Sequence, residues 1–377
     1  MKVLFIAHDT MHGGSGRCLY EFLSLLKPND GITPVVLTRN NNDLKRTIVN
    51  LGIETYTCRF GATLVRKNNS RIFWGWIYRP ITNLLAFLYL KIRLNLKEID
   101  LIYSNSKIID FGAYLHRKTG IPLVWHLREF GDASFDLISF EKNLSQYIDE
   151  NSKKIITVSE AVKKHYEENG GARDKAICVY DGVLGNAFEK KHISPNDDIV
   201  RICMCGCFCN AKGQLVALKA ISLLPLEKRS KVRLDFYGNG FLEEEMNAMI
   251  DQYDLRAVVS IKGYCSFLPD VLNTYDVGLN LSTSEGFGRT TVEYMLSELF
   301  VIGSNSGATP ELLNYGEFGA LVRYGDAQAI ADVLADIIND KKKYQMIASA
   351  SKTYAKQKFC IEKNYKKIIQ VLKESVE

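Results

Sequence analysis

The sequence predicts an α/β protein made of two doubly wound domains in succession, and three observations predict it. The chain has 377 residues, beyond the roughly 250 to 300 at which a single hydrophobic core stops growing. Short β-branched runs alternate with amphipathic stretches from the first residue onward, the pattern of βαβ units around a parallel sheet. The alternation weakens between Gly185 and Asn196, where Pro195, Asn196, Asp197 and Asp198 read as a linker, and then restarts. Domains are therefore expected at residues 1–190 and 191–355, with 356–377 a terminal helix that crosses back onto the first.

In order along the first domain, strands are expected at Lys2 to Ala7, Thr33 to Leu37, Ile53 to Thr57, Asp100 to Ser104, Pro122 to Leu127, Lys154 to Val158 and Ala176 to Val179. The second domain should carry them at Ile199 to Met204, Lys231 to Tyr237, Val258 to Lys262, Val277 to Leu281, Phe300 to Gly303 and Gly319 to Val322. Helices fill the gaps, and Lys341 to Glu377 reads as helical and basic. Ligands of such folds bind outside the carboxyl ends of the strands, here expected where the two domains face each other across a cleft.

Composition narrows the class. With 46% hydrophobic and 24% charged residues, the chain is neither disordered nor fibrous. The start, MKVLFIAHD, is too soon charged for a secretory signal. The apolar run from Ile81 to Leu90 stops at Lys91, short of the roughly 18 residues that span a bilayer. Nine cysteines, an odd number in a chain too large to need a disulfide framework, suggest reduced thiols in a cytoplasm.

Two segments carry the chemistry. The first strand runs into Gly13-Gly14-Ser15-Gly16, whose amides and following helix terminus suit an anion. It does not fit G-x-G-x-x-G, because Leu19 stands at the third glycine position, and the second strand ends in Thr38-Arg39-Asn40 without a ribose-binding acid. Glycines that merely let a helix pack on the sheet would look the same. The segment Glu285-Gly286-Phe287-Gly288-Arg289-Thr290-Thr291-Val292-Glu293 is more specific: a strand delivers Glu285 to its carboxyl end, glycines expose amides, and a helix opens near Gly288. Glu293 follows one and a half turns on, so two carboxylates flank one anion site.

This E-x7-E constellation, with the glycine-rich turn, resembles the family 4 glycosyltransferases, retaining enzymes of the GT-B fold. Val158-Ser159-Glu160-Ala161-Val162, Lys212-Gly213-Gln214, Phe236-Tyr237-Gly238-Asn239-Gly240 and Gly307-Ala308-Thr309-Pro310-Glu311 also match strings that relatives carry in the same order. The resemblance implies that Glu285 orients the donor sugar, with backbone contacts from Gly286, Phe287 and Gly288. It implies further that Glu293 binds the ribose, that Thr290 and Thr291 lie near the diphosphate, and that Lys212 neutralises it with help from the Gly13 to Gly16 amides. His126, at the end of a first-domain strand, looks like the family's active-site histidine. Where relatives have an Arg five residues before the Lys, this chain has Cys207. Arg128 and Glu129 read as an exposed ion pair or an acceptor contact.

Cys203, Cys205, Cys207 and Cys209 alternate, but same-face residues of a strand lie roughly 6.5 to 7 Å apart, too far for thiolates sharing one zinc. With no D-x-D triplet in the chain either, no metal and no cofactor are expected. The expected reaction is retaining transfer from a nucleotide-diphosphate sugar, UDP favoured, to a hydroxyl acceptor. A nucleotide-sugar epimerase, an NADP-dependent oxidoreductase and a non-catalytic GT-B subunit are the alternatives.

The net charge of +5 is local. Arg59 to Lys97 carries eight Lys/Arg and no acid, so the remainder is slightly acidic. Interleaved aromatics, Trp74 and Trp76 among them, suit an anionic membrane surface better than nucleic acid, for which no motif appears. An exposed loop over Arg66 to Arg79 and a helix over Ile81 to Leu96, its residues buried against the core of the first domain, are expected there, with peripheral docking on the inner membrane face beside a lipid-linked acceptor of capsule or other cell-surface polysaccharide assembly.

Overall fold

A computed structural model describes residues 1–11, 13–66, 72–131, 137–188, 198–265 and 268–377. It divides into two compact units, Met1–Gly182 with Ile361–Glu377, and Val183–Cys360.

The first unit runs β1 (Lys2–Ala7), α1 (Gly14–Leu25), β2 (Thr33–Thr38), α2 (Asp43–Asn50), β3 (Glu54–Thr57), β4 (Leu64–Arg66), α3 (Ile72–Arg93), β5 (Leu101–Ser104), α4 (Phe111–Thr119), β6 (Leu123–Leu127), β7 (Leu137–Ser139), α5 (Leu144–Asn151), β8 (Lys154–Thr157), α6 (Glu160–Glu168) and β9 (Ala176–Cys178). Seven of these strands form a parallel sheet in the order β3-β2-β1-β5-β6-β8-β9. β1 and β5 lie centrally and are buried along nearly their whole length, as strands with helices on both faces must be. β4 and β7 form a separate antiparallel pair, too short for any period to announce it.

The second unit repeats the plan with β10 (Val200–Cys205), α7 (Gln214–Leu223), α8 (Leu226–Arg229), β11 (Val232–Tyr237), α9 (Glu243–Gln252), β12 (Val259–Gly263), α10 (Pro269–Leu272), β13 (Val277–Asn280), α11 (Arg289–Leu296), β14 (Phe300–Ser304), α12 (Thr309–Leu312), β15 (Gly319–Val322), α13 (Ala327–Asn339) and α14 (Lys341–Lys358). Its parallel sheet has the order β12-β11-β10-β13-β14-β15.

The last helix, α15 (Ile361–Glu374), belongs to the first unit. Its Tyr365, Ile368, Ile369 and Leu372 join Val3, Phe5 and Val36 in one apolar core. The leaving and returning chains pass so closely that a Cβ at Gly182 would lie 2.1 Å from the Cα of Ile361.

The units exchange at 182/183 and 360/361, whereas the sequence places the junctions at 190/191 and 355/356. Val183 makes a parallel bridge to Cys360 within the second unit, which draws the intervening residues into it. Pro195, Asn196 and Asp197 lie outside the described residues. The expected loop over Arg66 to Arg79 also needs correction, because α3 starts at Ile72 and runs through Pro80. Lys67 and Arg71 lie outside the described residues. No helix among the described residues is long and apolar enough to cross a membrane.

Candidate active site

Each sheet reverses its strand order once, between β1 and β5 in the first unit and between β10 and β13 in the second. The crevice outside the carboxyl ends at such a switch point is where open α/β sheets bind ligands. In the second unit, the loops leaving β10 and β13 carry Lys212 and Glu285. Lys212 Nζ donates to Glu285 Oε1 at 2.5 Å, and the Ser282 hydroxyl lies 2.6 Å from the same oxygen. Burial works against the Lys212 charge, but the Glu285 carboxylate outweighs it and raises the pKa above its ordinary value, so the ammonium persists at neutral pH.

The backbone of this loop is clamped on both sides. Thr283 N donates to Ala211 O at 2.8 Å and Ala308 N to Glu285 O at 2.9 Å, so loops from β10, β13 and β14 meet around the Glu285 backbone. Gly307 has φ 56°, and a Cβ there would stand 2.5 Å from the Glu285 amide nitrogen. Gly288, at φ 91° and ψ 55°, turns the chain into α11, a left-handed conformation that glycine adopts without strain. Gly286 lies half-buried beside Glu285.

Phe287 is buried with its ring 5.8 Å from that of Phe359, so its side chain anchors the loop. Thr290 is half-buried in the first turn of α11. Thr291 departs from expectation: its hydroxyl is 2.5 Å from Asn280 Nδ2 in the interior and its N–H donates to Gly288 O, so neither group is turned to a diphosphate. Glu293 is 2% exposed, with Arg289 Nη2 at 3.8 Å. Cys203 is buried and Cys207 exposed, and among the described residues no cluster of His, Cys, Asp and Glu could hold a metal ion.

In the first unit, the glycine-rich turn is shaped by its own carboxylate. Asp9 accepts from Thr10 N at 2.8 Å and from the Ser15 hydroxyl at 2.6 Å, and a Cβ at Gly13 would overlap that carboxylate at 2.0 Å. A Cβ at Gly16 would fall 2.1 Å from Thr10 O, while Gly14 faces open space. A charge already sitting at the amino end of α1 opposes a second anion, which weakens the expected anion role of Gly13 to Gly16.

His126 also departs from expectation. It is 0% exposed, and its Nδ1 pairs with the Tyr103 hydroxyl. Burial, seconded by Arg128, pushes its pKa well below the ordinary histidine value. It lies inside β6, one residue short of the strand's end, and contacts the interior where a substrate contact was expected.

The residue past the end of β6 is Arg128, and it is not paired with Glu129. Its guanidinium grips Asp181 at 2.6 and 2.8 Å and donates to Asn105 Oδ1 at 2.9 Å, while Asn105 Nδ2 donates to Ser15 O. Glu129 instead accepts from the Ser106 hydroxyl at 2.5 Å and from Lys107 N at 2.8 Å. His8, just past β1, has its pKa lowered by burial against the opposing pull of Glu129 and Asp9. His8, Arg39, Asn105 and Arg128 each follow a strand directly, so position past a strand was the available signal for His8 and Asn105, which no motif marks.

Two family descriptions divide the chain between them. Glycosyltransferase Family 4 matches residues 12–183, and glycosyl transferases group 1 matches residues 186–354. EpsD of Bacillus subtilis (strain 168), named a glycosyltransferase, is 30% identical over 143 residues, covering 38% of this chain and 37% of its own. The capsular polysaccharide biosynthesis glycosyltransferase CapM of Staphylococcus aureus is 28% identical over 54% of this chain and 57% of its own. The chain thus spans about a third to somewhat over half of these curated relatives. The crystal structure of Anabaena Alr3699/HepE in complex with UDP superposes with a TM-score of 0.81 at 21% identity, covering 99% of this chain and 100% of that one. A further crystal structure of that protein holds UDP-glucose and gives a TM-score of 0.80.

Proposed function

The chain belongs to the group 1, family 4 glycosyltransferases of GT-B fold, and from that premise we propose that it transfers a sugar from a UDP-sugar to a hydroxyl acceptor with retention of configuration and without a metal. The observation that carries the reading is the Lys212–Glu285 pair, held at the β10/β13 switch point by three converging loops. UDP and UDP-glucose in the HepE complexes support the donor class. CapM's part in capsular polysaccharide biosynthesis supports a glycan acceptor, which we take to be lipid-linked.

The chemistry follows from charge. A departing UDP develops negative charge on its β-phosphate, and Lys212 meets it as a point charge together with the N–H groups opening α11 near Thr290. Once Lys212 turns to the diphosphate, Glu285 is released to accept hydrogen bonds from sugar hydroxyls. Glu293 binds the ribose when Arg289 moves aside. Retention rests on same-face attack assisted by the leaving phosphate, which the family resemblance implies, and much of the rate comes from positioning.

The test compares two carboxylates. Glu285→Gln should lower kcat while UDP still raises the melting temperature, because binding to the folded state persists. Glu293→Ala should abolish or weaken that UDP-dependent shift. Equal, small effects would overturn the assignment, as would turnover of a nucleotide sugar without any acceptor, the behaviour of an epimerase.

A further inference from the structure

The helix α3 is amphipathic the wrong way round for a helix of a water-soluble surface. Arg79 and Asn83, in the middle of the helix, point inward: Arg79 pairs with Asp110 and, at 2.6 Å, with Glu141, and Asn83 Oδ1 accepts from Gly61 N at 2.7 Å. Ala86 and Leu90 complete that buried face. The outward face is apolar, with Trp74 51%, Ile81 48%, Leu85 59%, Leu88 45% and Ile92 82% exposed. At about 100° per residue these five side chains fall within an arc of about 60°, a continuous stripe along the helix. Contiguous exposed apolar surface of this kind marks an interaction site.

We infer that α3 lies flat in the interfacial region of an anionic lipid bilayer, with this stripe inserted among the acyl chains. Charge decides between a bilayer and a second copy of this chain. Lys91 and Arg93 bracket Ile92 in the last turn, Lys97 is exposed just beyond, and no acid occurs from Arg59 to Lys97. A second copy presenting the same face brings more cations, whereas anionic headgroups neutralise them while the stripe enters the hydrocarbon. Trp74, its ring 6.0 Å from that of Tyr78, puts amphipathic rings at the opposite end of the stripe, where the interface favours them. The expected cation at Arg79 drops out, since its charge is spent inside the unit, and the apolar stripe takes over as the main source of attachment. That attachment serves a lipid-linked acceptor only if the transferase reading above holds; the surface itself does not depend on it.

The experiment measures binding to phosphatidylglycerol-containing and to purely phosphatidylcholine vesicles by co-sedimentation, with the emission of the tryptophans as a second readout. The wild type should bind the anionic vesicles, shift its emission to the blue, and retain part of its binding in raised salt. The variant Ile81→Gln, Leu85→Gln, Leu88→Gln and Ile92→Gln alters only exposed side chains, so it should keep its far-ultraviolet circular dichroism and its stabilisation by UDP, yet bind vesicles weaker by about tenfold or more. Equal binding by the variant, or no binding of the wild type to anionic vesicles, overturns the inference. So does a wild type that self-associates in sedimentation velocity, through the stripe, without binding vesicles. A protein that binds vesicles but is not stabilised by UDP would instead sink the transferase reading and leave this surface standing.

Discussion

At the residue scale, Lys212 and His126 show how burial and charge select opposite fates for two ionisable groups. Lys212 keeps its charge because Glu285 lies against it, and a diphosphate can replace that carboxylate as partner. Lys212→Ala should therefore cost tenfold or more in transfer rate, on the order of what one charge-stabilising group contributes, while EDTA leaves the wild-type rate nearly unchanged. Activity abolished by EDTA and restored by Mn²⁺ would refute that division of labour. His126 has no such partner: burial holds its imidazole neutral, whereas the unfolded chain takes up a proton near pH 6.5. The unfolded state then binds more protons below about pH 6.5, so stability should be full above that pH and fall below it, by at most about 1.4 kcal/mol per pH unit for each such histidine. His8, lowered by burial as well, adds in the same direction. Urea unfolding of the wild type and of His126→Gln between pH 7 and 5 checks this; identical slopes would show that His126 does not titrate on unfolding.

At the scale of elements, the loop between β13 and α11 works because its neighbours leave it no freedom. Gly307 allows the loop after β14 to approach the Glu285 backbone, and the Cβ of Gly307→Ala would meet that amide nitrogen at 2.5 Å. The expected outcome is a tenfold or larger fall in kcat, with the second unit still folded by circular dichroism, because a displacement of about 1 Å at a reacting group is enough to cost about that much. An unaltered kcat would mean that the loop tolerates displacement and that Glu285 needs no clamp. α3 makes the complementary point. Proline disfavours helix in the residue before it, so the sequence reads as loop up to Arg79, yet Pro80 lies on an exposed flank of a continuous helix where solvent can take the carbonyl that it leaves unpaired.

At the scale of the whole molecule, the first unit is completed by residues from the far end of the chain. α15 places Leu372, fully buried, in the core with Val3 and Phe5, and the rings of Phe22 and Tyr365 stand 6.5 Å apart. Leu372→Ala should therefore destabilise the first unit by about 2 to 5 kcal/mol, the usual cost of such a cavity, although it lies near the end of the sequence. Calorimetry reads the effect, and a melting profile unchanged from the wild type would show that α15 contributes no packing energy.

The sequence by itself determined the periodic elements. All thirteen strands of the two large sheets lie within a residue or two of where β-branched runs end in glycine or polar residues, since strand identity is a matter of local pattern and burial on both faces. It also singled out Glu285 and the Gly288 turn, because strand, glycine and helix start are consecutive there, whereas Lys212 was marked only by the family resemblance. Tertiary structure alone decided the facing of side chains. Thr291 turns to Asn280, His126 to Tyr103, Arg128 to Asp181 across 53 positions, and Arg79 inward while Ile92 points out. Each choice depends on partners remote in the chain, and a run of hydrophobic residues does not state which of its faces the rest of the protein will leave uncovered.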